Sequence, residues 1–303
     1  MYATSDLRFH VIYTPGTFQY LRPFLFSLLR WSDCRFRVVS NGCGKSERRL
    51  IESACRRSSR LEVIHFRRKA VLPKGRVLNT LYAREKGRFF CCMDSDIFAV
   101  GQWLDEVAEE LGHHAAIFSA PHFLMSEEGK TMPATIGGAF GIHVRDPEGN
   151  CIGTTCFAIY DKQISDAYIH AKGIDFSGTA WAHVPPAYRS CFARRGLQVK
   201  EFNSGKILNI CMSCDGVSLF YRNLENLRHI GGFSFAKPNR MHGESIPTSR
   251  DRRADYFYEL LRSVANGAAP PPLPECGQHA IQKYRNMVTE VIALTAARKG
   301  SNT

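Results

Sequence analysis

Hydrophobic and polar positions follow two alternating periods along the first hundred residues. RFHVIY (8–13), RFRVVS (35–40), LEVIHF (61–66) and RFFCCM (88–93) are apolar runs of strand length. Thr14-Pro15-Gly16, Asn41-Gly42 and Pro73-Lys74-Gly75 punctuate them as turns. Between the strands, residues 17–31, 45–57 and 76–86 space their apolar positions three or four apart, which predicts helices. Pro23 is expected to bend the first helix or delay its start, and Ser46 to cap the second. The fourth strand is nearly all apolar, as strands buried on both faces of a parallel sheet are. Strands and helices alternating through short links predict an α/β chain, an open, mostly parallel twisted sheet with helices on both faces in a single domain.

The second half is less regular. Residues 114–120, 151–161, 205–212 and 219–223 are expected to be strands, and 187–195 and 254–265 helices. Residues 126–150, with Gly137-Gly138, are expected to form a mobile loop. A proline run at 270–274 predicts a stiff spacer before a basic amphipathic helix at 277–298. Phe24, Phe26, Phe89, Phe90, Trp31 and Trp103 are candidate packing residues, and Trp181, in a loop, a candidate sugar-stacking face.

With 303 residues, 44% hydrophobic and 22% charged, the chain can bury a core and is neither a disordered polymer nor a fibrous repeat. No apolar run is long enough to span a membrane. The N-terminal MYATSDLRFHVIYTP lacks the basic-then-apolar order of a secretory signal. Its 11 cysteines, most in apolar surroundings, suit a reducing compartment. The expectation is therefore a cytoplasmic chain, with Cys211 and Cys214 as structural thiols. Forty Lys+Arg against 28 Asp+Glu give a formal charge of +12, which favours anionic partners.

The residues that carry chemistry follow the fourth strand: Asp94-Ser95-Asp96. In open α/β sheets ligands bind at the carboxyl ends of the strands. Two carboxylates converging there repel each other unless a cation offsets them. Asp oxygens suit Mg²⁺ or Mn²⁺, which also take diphosphate oxygens. Phosphate-loop, dinucleotide-fingerprint and nucleophile-elbow motifs are missing, which removes support for kinases, Rossmann dehydrogenases and α/β-hydrolases.

With D-S-D after the fourth strand, the T-P-G turn after the first and VVSNG closing the second, residues 8–240 resemble the GT-A-fold glycosyltransferases. The resemblance implies a nucleotide-diphosphate sugar donor, UDP-linked by expectation, and Mn²⁺ or Mg²⁺ held by Asp94 and Asp96. It implies nucleotide contacts from Tyr13, Thr14 and Asn41. Two segments are similar to the glycogenin and lipopolysaccharide-galactosyltransferase branch. CIGTTCFAIYD and Gly173-Ile174-Asp175-Phe176 stand in the order of its F-N-S-G and D-Q-D segments, without the Asn and the Gln. His229-Ile230-Gly231-Gly232, with Lys237-Pro238 two residues late, resembles its H-x-x-G-x-x-K-P. That implies His229 as third metal ligand and Lys237 as a diphosphate contact; His242 is the rival ligand. For an inverting reaction, Asp175 and Asp161 are the candidate bases, with Asp215 behind them.

On this reading residues 1–100 form the nucleotide-binding half, 101–266 the acceptor-side half, and 267–303 the spacer and basic helix. The acceptor is expected to be a glycan or lipid-linked glycan, with the C-terminal helix lying on an anionic membrane surface. The alternatives are modified nucleic acid as acceptor, a nucleotidyltransferase, or a basic nucleic-acid-binding protein without turnover.

Overall fold

In the computed structural model, residues 2–66, 70–119, 122–124, 145–146, 148–233, 249–274 and 278–296 are described. Gly137-Gly138, Lys237 and His242 lie outside them.

The first half alternates as its pattern predicts. Strands β1 (Arg8–Tyr13), β2 (Arg35–Asn41), β3 (Leu61–Phe66) and β4 (Phe89–Asp94) are joined by helices α1 (Phe18–Arg30), α2 (Lys45–Cys55) and α3 (Lys74–Arg84). Helix α1 runs through Pro23. The residue capping α2 is Gly44, not Ser46, which lies inside the helix. Short β5 (Ile97–Ala99), α4 (Asp105–Ala108), β6 (Ala116–Phe118) and β7 (His122–Phe123) follow. Then come β8 (Phe157–Asp161), α5 (Lys162–Lys172), α6 (Arg189–Arg194), α7 (Lys206–Cys214), β9 (Leu219–Tyr221), β10 (Leu227–His229), α8 (Ser249–Ala265) and α9 (Gln278–Ala296).

Among the described residues, seven strands form one sheet in the order β3-β2-β1-β4-β8-β6-β9. β3, β2, β1 and β4 run parallel, β8 is antiparallel to both β4 and β6, and β9 is parallel to β6. A small second sheet, β5-β10-β7, flanks it. The consecutive β4 residues divide between two cores. Phe89, Cys91 and Met93 pack with α1, α8 and α9 on one face, while Phe90 and Cys92 pack with α3 and α7 on the other. Helices therefore cover both faces, as expected.

Three readings change. Residues 205–212 are not a strand but helix α7, buried on every side from Lys206 to Met212. With every position from 206 to 212 buried, Lys206 and Asn209 included, the run has no exposed face whose period would tell strand from helix. Cys191 and Cys214 form a disulfide tying α6 to α7, so Cys214 is not the free thiol expected; eight other described cysteines are free and buried. The apolar stripe of α9 (Ala280, Ile281, Tyr284, Val288 and Val291) is buried in the core beside α1 rather than presented to lipid. No described helix is long and apolar enough to cross a membrane.

A buried charge network staples β1 to its neighbours. His10 is fully buried. Its Nδ1 donates to the Cys91 carbonyl (2.9 Å), leaving Nε2 to accept from Arg37 Nη1 (3.1 Å). Arg37 also pairs with Glu85 and Glu62. Burial, assisted by the Arg37 and Arg8 guanidinium groups, depresses the imidazole from 6.5 to about 4. A depressed histidine stabilises the fold above its unfolded pKa and loses that contribution as pH falls. Lowering pH from 7 to 5 is expected to cost about 2 kcal/mol through this group. Urea midpoints at the two pH values check it: His10→Gln should flatten the dependence, and a slope equal to the parent's would contradict it.

Candidate active site

The order β3-β2-β1-β4 reverses direction at β1, and in open α/β sheets the carboxyl ends of the strands at such a reversal, here β1 and β4, are where ligand crevices form. β4 is buried as far as Met93, and Asp94 is the first of its side chains to emerge, with Ile12 of β1 opposite it. The Asp94 N–H donates to the Cys156 carbonyl (2.8 Å). The chain then turns through Ser95 and Asp96 into β5. β10 pairs antiparallel with β5, setting His229 opposite Ile97, next to Asp96. It brings together Asp96 and His229, 133 residues apart in the chain.

Asp94, Asp96 and His229 each offer a ligand atom, all within 4.8 Å of one another. His229 Nε2 lies 3.1 Å from Asp96 Oδ1 and 3.8 Å from Asp94 Oδ2. The other Asp96 oxygen accepts from the Phe233 N–H (3.1 Å). Gly231 and Gly232, at φ 74° and 84°, permit the reversal that brings this N–H back; a side chain would be strained at either. Asp96 is 6% exposed and His229 4%. Burial opposes charge on both, but their mutual attraction and hydrogen bond win. Asp96 is held below the usual carboxylate range and His229 above the usual imidazole value.

Lys74, which the pattern marks only as part of a turn, joins the cluster. Its Nζ contacts Asp94 Oδ1 and the Thr155 carbonyl (3.1 Å). Burial opposes its charge, yet Asp94 keeps its pKa above the ordinary lysine value. Two features deliver it. Asn41, at the end of β2, binds Leu72 twice, donating to its carbonyl and accepting from its N–H (both 2.9 Å). Gly75 lets α3 approach residues 176–177 closely: a Cβ there would lie 2.4 Å from the Phe176 carbonyl oxygen. Lys206, at the start of α7, is also buried near this end, where desolvation lowers its ammonium to about 7 beside the Cys156 and Cys151 thiols.

The other expected residues divide. Asn41 sits at the crevice, but its amide is engaged by backbone. Tyr13 ends β1 with its ring turned into the core against Phe18 (4.9 Å), not into the crevice. Its hydroxyl is buried without a hydrogen-bond partner among the described residues, and burial, with Asp96 nearby, raises its pKa. Thr14 opens the turn into α1, its carbonyl accepting from Thr17. The N-terminus of α1 is occupied by Glu47 of α2, whose oxygens accept from the Gly16 and Phe18 N–H groups (2.9 and 3.1 Å).

Asp161 is at the wrong end of the sheet. β8 runs antiparallel to β4 and pairs Asp161 with Phe89, five residues and so about 16 Å along the strand from Asp94. There it is ion-paired to Arg88 and caps α5 through the Gln163 N–H. Asp175 is exposed, with its oxygens taken by Asn79 Nδ2 and the Ser177 N–H (both 2.7 Å). Asp215 is held by Tyr168, Tyr188 and Lys172. Trp181 packs edge-on against Phe192.

No protein-family model matches this chain, and no curated protein matches it. Among solved structures it is similar to the galactosyltransferase LgtC in complex with donor and acceptor sugar analogs. The identity is 11% and the TM-score 0.47, over 89% of this chain and 98% of that one. It is also similar to the mannosyltransferase PcManGT from Pyrobaculum calidifontis in complex with GDP-Man and Mn²⁺ (13%, 0.44, 99% and 90%). A third is S. aureus TarS 1-349 in complex with UDP (14%, 0.44, 85% and 72%). With TM-scores below 0.5, the functional reading rests on this chain's own residues.

Proposed function

We propose that this chain is a metal-dependent glycosyltransferase that moves a sugar from a nucleotide-diphosphate donor, UDP-linked by preference, to a glycan or lipid-linked glycan. The observation that carries the reading is the convergence of Asp94, Asp96 and His229 at the carboxyl end of β4, beside the reversal in strand order. The donor set fits a divalent cation: two carboxylates and an imidazole are ligands that Mn²⁺ accepts, and the carboxylates suit Mg²⁺ equally. Asp94, Asp96 and His229 would hold the ion, which supplies charge neutralisation for the departing diphosphate.

The chain's own groups do the rest. Asp96, buried and fixed by the Phe233 N–H, orients His229. Lys74 holds a positive charge on the Asp94 side, where it can donate to a diphosphate oxygen as a point charge. Asn41 and Gly75 set its position.

A thermal-shift panel of UDP-, GDP-, CMP- and dTDP-sugars with and without Mn²⁺ tests this. A ligand of the folded state at a hundred times its Kd stabilises by about 2.7 kcal/mol. A rise in Tm selective for one nucleotide and dependent on Mn²⁺ is expected; no shift with any donor would contradict the reading.

A further inference from the structure

A groove of about 280 Å³ opens between α2 and β3, lined by Lys45, Arg48, Arg49 and Glu52 of the helix and His65 of the strand. Its charge is one-sided. Glu52, the one carboxylate among the described lining residues, is engaged with His65 Nε2 (2.9 Å). Lys45, Arg48 and Arg49 have no carboxylate partner among the described residues.

This arrangement is unfavourable for the helix alone. Lys45 lies three and four residues before Arg48 and Arg49, so like charges neighbour one another on one face. All three fall in the first half of α2, toward the positive end of its dipole, where cations are disfavoured. The one acidic residue of the first turn, Glu47, is occupied at the start of α1. A local rule broken without local compensation points to a partner outside the chain.

We infer that this groove is a subsite for a compact phosphate-type anion, a phosphomonoester or diphosphate carried by the acceptor. Arg48 and Arg49 offer forked donors suited to phosphate oxygens, and Lys45 a point charge. The small lining favours one or two phosphate groups over a duplex, which needs cations spread along an extended backbone. The position also suits an acceptor. His65 pairs with Ser40, Ser40 with Tyr13, and the neighbouring Ile12 with Asp94. The groove thus lies three strands from the metal-ligand cluster at the same sheet end, about 14 Å away. Assigning the phosphate to the acceptor rests on the proposed transferase reading; anion binding itself does not.

The test uses the full chain in EDTA, so that no metal contributes. Pyrophosphate binding is measured by calorimetry, and co-sedimentation with phosphatidylcholine vesicles is measured with and without phosphatidic acid. Arg48→Gln/Arg49→Gln is expected to weaken pyrophosphate binding at least about tenfold, whereas Arg222→Gln, a surface cation following β9 at the opposite edge of the sheet, retains it. Sedimentation that needs phosphatidic acid and is lost in the double variant assigns the phosphate to a lipid headgroup; pyrophosphate binding without sedimentation assigns it to a soluble acceptor. If the double variant does not fold, Lys45→Gln carries the same expectation. Pyrophosphate binding equal in parent and variant, or binding to a short DNA duplex but not to pyrophosphate, would overturn the inference. Because the donor panel uses Mn²⁺ and this measurement excludes it, the two readings fail separately.

Discussion

Asp94→Asn is expected to lower metal-dependent sugar transfer by about a thousandfold, the rate equivalent of the several kcal/mol of charge stabilisation that a bound divalent ion supplies. The fold should tolerate it. The Asp94 side chain is 30% exposed, and its partner Lys74, 33% exposed, keeps access to water. Asp96→Asn is a less clean experiment, because Asp96 is buried against His229 and its loss leaves a buried charge uncompensated. Initial rates with the donor selected by thermal shift, together with Tm for both variants, check the expectation. Turnover within twofold of the parent would remove Asp94 from the machinery.

Phe9→Ala is expected to be the most destabilising single change in the sheet core. Phe9 sits in β1, between its two parallel neighbours, and is fully buried. Its ring lies 5.3 Å from Phe157, 5.4 Å from Trp103 and 6.1 Å from Phe36, so its removal leaves a cavity that rigid neighbours on three sides cannot fill. The cost of such truncations is about 3–5 kcal/mol. In a chain of this size that lowers Tm by about 5–8 °C. Calorimetric unfolding measures it, and a loss below about 1 kcal/mol would mean that β1 is not packed as described.

Much of the first hundred residues was legible in the sequence because its signals are local. Each strand from β1 to β4 is an apolar run closed by turn residues, and α1, α2 and α3 carry their own period. Asp94 and Asp96 follow directly, since a carboxylate pair at the end of a buried strand has few structural uses. His229 was legible only through its resemblance to a family motif; the β5–β10 pairing that brings it to Asp96 is a long-range contact with no local trace.

Where expectation and structure differ, each difference has its own physical reason. Asp161 ends a strand, as Asp94 does, and its placement turned on strand direction, which residue pattern does not encode. Because β8 is antiparallel, its last residue lies at the opposite end of the sheet. Tyr13 sits at the correct end, but the alternation of side chains along β1 turns it to the core face. Lys74 carried a weak signal, a lysine between Pro73 and Gly75 at a helix start. Its contact with Asp94 is a long-range one, set by the Asn41–Leu72 pair, and leaves no local trace. In α7, uniform burial erased the period that separates helix from strand.

The central claim is that Asp94, Asp96 and His229 bind one divalent ion. Electron paramagnetic resonance of free Mn²⁺, followed during titration of the full chain, tests it most directly. Loss of the free-ion signal at one Mn²⁺ per chain is expected, with saturable binding abolished in Asp94→Asn. A signal that falls no faster with the protein than with buffer, or equal binding by parent and variant, would contradict it.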